Sequence, residues 1–157
     1  MRGKEKMKDI STKNLDRVLS HAKPSDIEAY LSENRGSLHE EEWPFGRYMK
    51  ERFREKGVKQ QDVFLSGDLS EGYGYKIISG EKHTTQRDLI LRLCFGGKFS
   101  LEETQRALKL YGMAPLYSKI PRDAVLMIAF NTKMTDVFEV NGLLSKYEME
   151  ELFQCTI

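Results

Sequence analysis

The chain is short of the residues that build metal centres and disulfide frameworks, and it carries no excess of either charge. Its 157 residues include two cysteines, Cys94 and Cys155, three histidines, His21, His39 and His83, one tryptophan and four prolines. The histidines are far apart and lack ligand spacing, so no metal site is expected. Cys94 falls on the apolar side of a helical pattern, where a buried, reduced thiol is the expected state. No apolar run approaches the roughly 18 residues of a membrane span, and no signal-peptide pattern opens the chain. A cytoplasmic protein without membrane association is therefore expected. Lysine and arginine number 25 against 24 aspartates and glutamates, a formal net charge of +1. That balance excludes a globally basic nucleic-acid binder, so any such function must rest on a local patch. No Ser, His and Asp set stands out. Gly72-Tyr73-Gly74 lacks the strand, third glycine and lysine of a phosphate loop. Neither catalysis nor a cofactor is expected.

What is present is helical punctuation. With 39% hydrophobic and 31% charged residues, the chain is long enough for one cored domain and an appendage. Phe45, Tyr48, Met49 and Phe53 recur at helical spacing behind Pro44, and Gly57 should end that helix. A second short helix is predicted from Lys59 to about Leu65, carrying Val63 and Phe64, before the turn Ser66-Gly67-Asp68. Ser70 is the expected N-cap of a third, with Tyr73, Ile77 and Ile78 inward and Ser79-Gly80 at its end. A fourth runs from about Thr85 to Cys94. Residues 45 to 93 hold ten Lys or Arg against seven Asp or Glu, the only third of the chain with a basic excess.

The run Lys56-Gly57-Val58-Lys59-Gln60-Gln61-Asp62-Val63, then Asp68-Leu69-Ser70-Glu71 through Ile77-Ile78-Ser79-Gly80-Glu81-Lys82, resembles the helix-turn-helix of phage repressors and xenobiotic-response-element regulators. About 50 residues, 45 to 94, are covered. The resemblance implies a lambda-repressor-like fold and sequence-specific binding of double-stranded DNA, with a recognition helix at about 70–78 in the major groove. The family's base-reading positions fall on Glu71, Gly72, Tyr75 and Lys76. Gln60 and Ser70 would lie near phosphates or helix ends, and Lys59, Lys82, His83 and Arg87 would flank the backbone. Family members often bind palindromic sites as dimers, so a homodimer is implied. The sequence departs from the pattern in three places. Phe64 stands where the family has a small residue, and Gly74 where it has a β-branched one. The two positions face each other, so the changes should compensate in volume. Asp68 replaces the turn glycine, and Asp is one of the few other residues that enters the left-handed region. Gly72 and Gly74 each weaken a helix by about 1 kcal/mol, so packing must hold the third helix.

The flanks extend the helical reading. Leu15, Val18, Leu19 and Ala22 form one stripe. Ser25 and Glu28 are a capping box for a second helix with Ile27, Tyr30 and Leu31, ended by Asn34-Arg35-Gly36. Two stripes without a core of their own should pack on the main domain or on another subunit. Glu40-Glu41-Glu42 reads as a solvated linker. Beyond the centre, Ser100 and Glu103 form a capping box ahead of Leu101, Leu108 and Tyr111, and Gly112 follows. Pro121 opens a helix with Val125, Leu126, Ile128, Ala129 and Phe130, apolar enough to be central to a core. Further helices are predicted at about 136–146 and 149–153. Shifting by thirty-six positions sets Leu101 on Val137, Leu108 on Leu144, Tyr111 on Tyr147, Met113 on Met149 and Leu116 on Leu152, a helical repeat relating 100–116 to 136–152.

The expected fold is all-α, a compact multi-helix bundle built around the helix-turn-helix. It comprises an N-terminal helical extension (1–43), a DNA-binding-like core (44–94) and C-terminal helices packed on that core (95–157). The flanking helices resemble those of uncharacterised bacterial helical regulators. The primary reading is a DNA-binding transcriptional regulator. The alternative is a protein-interaction adaptor on a degenerate helix-turn-helix scaffold, meeting a protein partner through the C-terminal helices with Tyr111, Met113, Tyr147 and Met149.

Overall fold

The structure, a computed structural model, describes residues 12–34 and 43–152. It is all-helical, without strand among those residues, and no helix there is long and apolar enough to cross a membrane. The residues divide into two compact units, one within 1–42 and one within 43–157.

The first unit holds α1 (Thr12–His21), a single 3-10 turn (Pro24–Asp26) and α2 (Ile27–Glu33). The Lys23 amide donates to Asp26 Oδ2 at 2.9 Å. The chain therefore enters α2 through the 3-10 turn rather than through the expected Ser25 and Glu28 box. Asn34 caps the C-terminus, its amide and side chain both donating to the Tyr30 carbonyl. Among the described residues of this unit no apolar side chain is buried; Val18 and Ile27 are more than half exposed. Arg35, Gly36 and Glu40 to Glu42 lie outside the described residues.

Among its described residues the second unit holds seven helices: α3 (Pro44–Lys56), α4 (Gln60–Ser66), α5 (Glu71–Ser79), α6 (Arg87–Gly96), α7 (Leu101–Tyr111), α8 (Pro121–Asn131) and α9 (Val137–Lys146). One continuous apolar cluster runs from Phe45 in α3 through Ile90 in α6 to Leu144 in α9, so the helix-turn-helix and the C-terminal helices share a core. Local chemistry explains the ends. Gly57, Gly80 and Gly112 take left-handed C-caps, where glycine has no Cβ penalty. Ser100 Oγ accepts from the Glu103 amide at 3.1 Å while Glu103 Oε1 accepts from the Ser100 amide at 2.9 Å, the reciprocal box the sequence predicts. Asp136 Oδ1 caps α9 through the Phe138 amide.

Two boundaries and one burial pattern differ from expectation. Thr84 Oγ1 accepts from the Gln86 amide at 3.0 Å, a local turn that delays α6 to Arg87. Residues 149–152 are not helical. Instead this strap hands its backbone groups to side chains: the Leu152 amide donates to Asn141 Oδ1, its carbonyl accepts from Arg92, and the Glu150 and Glu151 carbonyls accept from Arg122. Phe153 lies outside the described residues. α8 is buried on one side only, against α7 and α9, which leaves Ile128 59% exposed.

The hairpins α6–α7 and α8–α9 share several corresponding contacts. Arg87-Asp88 opens α6 and Arg122-Asp123 opens α8, thirty-five positions on, and the pairs exchange partners. Arg87 Nη1 donates to Asp123 Oδ2 at 3.1 Å, and Arg122 donates twice to Asp88 at 2.9 Å. Phe95 and Phe130, at the same offset, stack with ring centroids 3.8 Å apart. α6 touches α9 just as α7 touches α8. Reciprocal contacts of this kind mark an approximate twofold axis. The connection before α9 is one residue longer, so the later correspondences run at thirty-six: Gln105 hydrogen-bonds both backbone groups of Leu116, and Asn141 accepts from Leu152. The Met113 and Met149 amides reach back to the Leu108 and Leu144 carbonyls, each at 2.9 Å.

Candidate nucleic-acid interface

α4 and α5 stand as a helix-turn-helix because their inner faces interlock. Ser66 ends α4, Gly67 follows, and Asp68 turns the chain at φ 54°, as expected for an Asp in the left-handed region. The Leu69 amide returns to the Phe64 carbonyl at 2.8 Å. Phe64 and Gly74 meet: a Cβ built on Gly74 would lie 2.5 Å from both Cδ1 and Cε1 of the Phe64 ring. The large residue occupies the space the small one vacates. Phe64 also meets the Tyr75 ring edge-on, 4.9 Å between centroids, so the exchange props Tyr75 outward. At the other end of α5, Trp43 Nε1 donates to the Ile77 carbonyl at 3.3 Å, and its ring lies against Gly80.

The outer face carries a shallow groove of about 450 Å³ lined by Lys50, Gln60, Gly72, Tyr75, Lys76 and Glu81, among others. It unites three expected residues, Gln60, Tyr75 and Lys76. Lys59, Ser70 and Glu71 are exposed on the same two helices and their caps. Ser70 occupies the N-cap of α5 without a side-chain cap bond; its carbonyl accepts from the Gly74 amide. Gly72 has open space where a Cβ would stand. Lys82 is exposed, its amide tied to the Lys76 carbonyl at 3.1 Å.

His83 is exposed, its ring at a steep angle to Trp43 with 5.1 Å between centroids and 6.3 Å from Tyr111. One expected backbone contact is placed differently. Arg87 is committed to the buried carboxylate of Asp123, which is 1% exposed, and to the Pro115 carbonyl. Arg87 therefore sits at the junction between the hairpins rather than beside the DNA-facing helices, tied to a carboxylate that also accepts from the Tyr117 amide.

Two residues escaped the sequence reading. Lys50 projects from α3 into the groove, and only the crossing of α3 over α5 brings it there. Arg92, 2% exposed, donates to the Gly67 carbonyl at 3.1 Å and to the Leu152 carbonyl at 2.8 Å, with Asp68 Oδ2 at 3.6 Å. Burial lowers its pKa, and the Asp68 carboxylate opposes that shift. One guanidinium thus pins the helix-turn-helix turn to the C-terminal strap. Its signal in the sequence is a lone cation inside the apolar run of α6.

Of the four residues read as an adaptor surface, Tyr111, Met113 and Met149 pack against the core. The Tyr111 hydroxyl accepts from the Thr84 amide at 2.8 Å. Only Tyr147, 56% exposed, remains available.

Comparison with models of known families, with curated proteins and with solved structures finds no match.

Proposed function

We propose that the protein is a DNA-binding regulator that presents α5 to the major groove, with Tyr75 and Lys76 at base edges and Gln60, Lys59 and Lys82 along the phosphates. The observation that carries this reading is the groove shared by Lys50, Gln60, Tyr75 and Lys76. It combines two cations, a neutral donor, one aromatic and, at its edge, the Glu81 carboxylate, on a helix whose rear face is fixed by the core. Lys76 can donate to guanine O6 or N7, and Glu71 can accept from cytosine N4, while the cations supply sequence-independent attraction. Fluorescence anisotropy against a mixed duplex library at low and physiological salt, followed by sequencing of retained DNA, tests it. A salt-sensitive interaction with an enriched motif is expected. Lys76→Ala should lose about 1–3 kcal/mol of discrimination, and Lys82→Ala should weaken binding evenly and reduce the salt slope by about 1. If no duplex binds at low salt, the regulator reading fails. The adaptor reading then takes its place, favoured by Leu65, which is 76% exposed on α4.

A further inference from the structure

The approximate twofold between the two hairpins creates a second concavity that the DNA reading does not use. The connection from α6 to α7 and that from α8 to α9 face each other across a cavity of about 520 Å³. Its floor is apolar, made by Phe99, Phe130 and Met134, and its rim carries Lys98, Lys133 and Lys56. Lys98 corresponds to Lys133 and Phe99 to Met134, so the pseudo-symmetry doubles one cation and one apolar group at a single place. The size lies within the roughly 300–1,000 Å³ of small-molecule sites, which are mostly apolar with a few convergent polar groups.

Charge decides the class of ligand. The lining holds three lysines and no carboxylate. Lys56 is engaged by Glu103 at 2.6 Å, whereas Lys98 and Lys133 have no ion-pair partner among the described residues. Both sit at φ 60° just past a helix end. Gly57, Gly80 and Gly112 occupy such positions on α3, α5 and α7, and glycine is the unstrained choice there. Asp68 and Glu148 take the same conformation after α4 and α9, so a lysine at this position is not required by the backbone; at the ends of α6 and α8 it sets a cation beside the cavity.

We infer that this cavity binds a small amphipathic anion, an acid with one carboxylate or equivalent head and an apolar body. Lys98 and Lys133 bracket the head, and the body lies on Phe99, Phe130 and Met134. The site is separate from α4 and α5, so it stands or falls independently of DNA binding.

The test uses the full chain with 8-anilinonaphthalene-1-sulfonate as a fluorescent anionic probe, displaced by octanoate or by 1-octanol. Wild-type protein should bind the probe, and octanoate should displace it at about tenfold lower concentration than octanol, as a charge-assisted contact requires. The double variant Lys98→Gly, Lys133→Gly removes both cations while relaxing both backbone positions, so it retains the fold. It should bind probe and octanoate at least about tenfold more weakly. Lys98→Arg with Lys133→Arg should retain binding, and Lys119→Gln, an exposed lysine outside the cavity, should match wild type. The inference is overturned by equal displacement by octanol, by unchanged affinity in the double glycine variant, or by absence of probe binding. The second result would leave the lysines as helix-end cations that complement the macrodipole.

Discussion

The exchange of sizes between Phe64 and Gly74 yields a double-mutant cycle. Gly74→Val adds a Cβ 2.5 Å from two ring carbons of Phe64, where carbon atoms settle about 3.5–4.0 Å apart. The ring must give by about 1 Å, yet Phe64 is 1% exposed and backed by Tyr75. Overpacking of that kind costs about 1–3 kcal/mol, and the two further methyl carbons push toward the upper end. Phe64→Ala alone leaves a cavity worth about 3–5 kcal/mol. Combined, the two substitutions recreate a small residue facing a β-branched one, and the introduced valine fills part of the cavity. The double variant should then be less destabilised than the sum of the singles by about 2 kcal/mol, the coupling expected of residues in contact. Urea unfolding followed by circular dichroism measures all four proteins. Additivity within about 0.5 kcal/mol would refute the idea that the two positions compensate.

Other predictions use different parts of the molecule. Gly72 and Gly142 are helical glycines with open space where a Cβ would stand, so Gly72→Ala and Gly142→Ala should each stabilise by up to about 1 kcal/mol in the same urea assay. Arg92→Leu strips partners from the Gly67 and Leu152 carbonyls and from Asp68; a loss of about 3–5 kcal/mol is expected, and a midpoint within error of wild type would contradict that linkage. Burial alone would raise the Glu103 pKa, but hydrogen bonds from Lys56 and Ser100 outweigh it and hold the carboxyl below its ordinary 4.5. Its stabilising contribution is therefore complete above about 4.5 and fades as pH falls through the lowered folded value. Glu103→Gln should flatten the decline of stability in that acid range, which urea midpoints measured across it will reveal. Burial pushes the Cys94 thiol far up. In a Cys155→Ser background, a thiol reagent should label Cys94 only after denaturant is added.

The helix-turn-helix was largely legible because its signals are local. Pro44, Gly57 and Gly80 act on the backbone within one turn of themselves, and the apolar spacing of Phe45, Met49 and Phe53 needs no distant partner to be read. α6 starts later than its apolar spacing implies because a bond from the Gln86 amide to the Thr84 hydroxyl shapes the preceding turn. The strap at 149–152 looked helical because its apolar residues have helical spacing. Its backbone is instead held by Arg92, Arg122 and Asn141, which come from other helices. For the candidate site, Gln60, Tyr75 and Lys76 follow from their register on two short helices, while Lys50 enters only through the crossing of α3.

By itself the sequence determined the all-α class and most helix ends, which depend on spacing along one chain, while the facing of Phe64 and Gly74 was implied by the family resemblance. Tertiary structure alone decided which cations are free. Arg87 and Lys82 look alike in sequence, but one faces a buried Asp123 and the other faces solvent. It also turned a faint repeat into reciprocal ion pairs and a lysine-rimmed cavity. The physical reason is that a charge takes its meaning from what surrounds it in space, and residues thirty-five positions apart become neighbours only when the helices between them have packed.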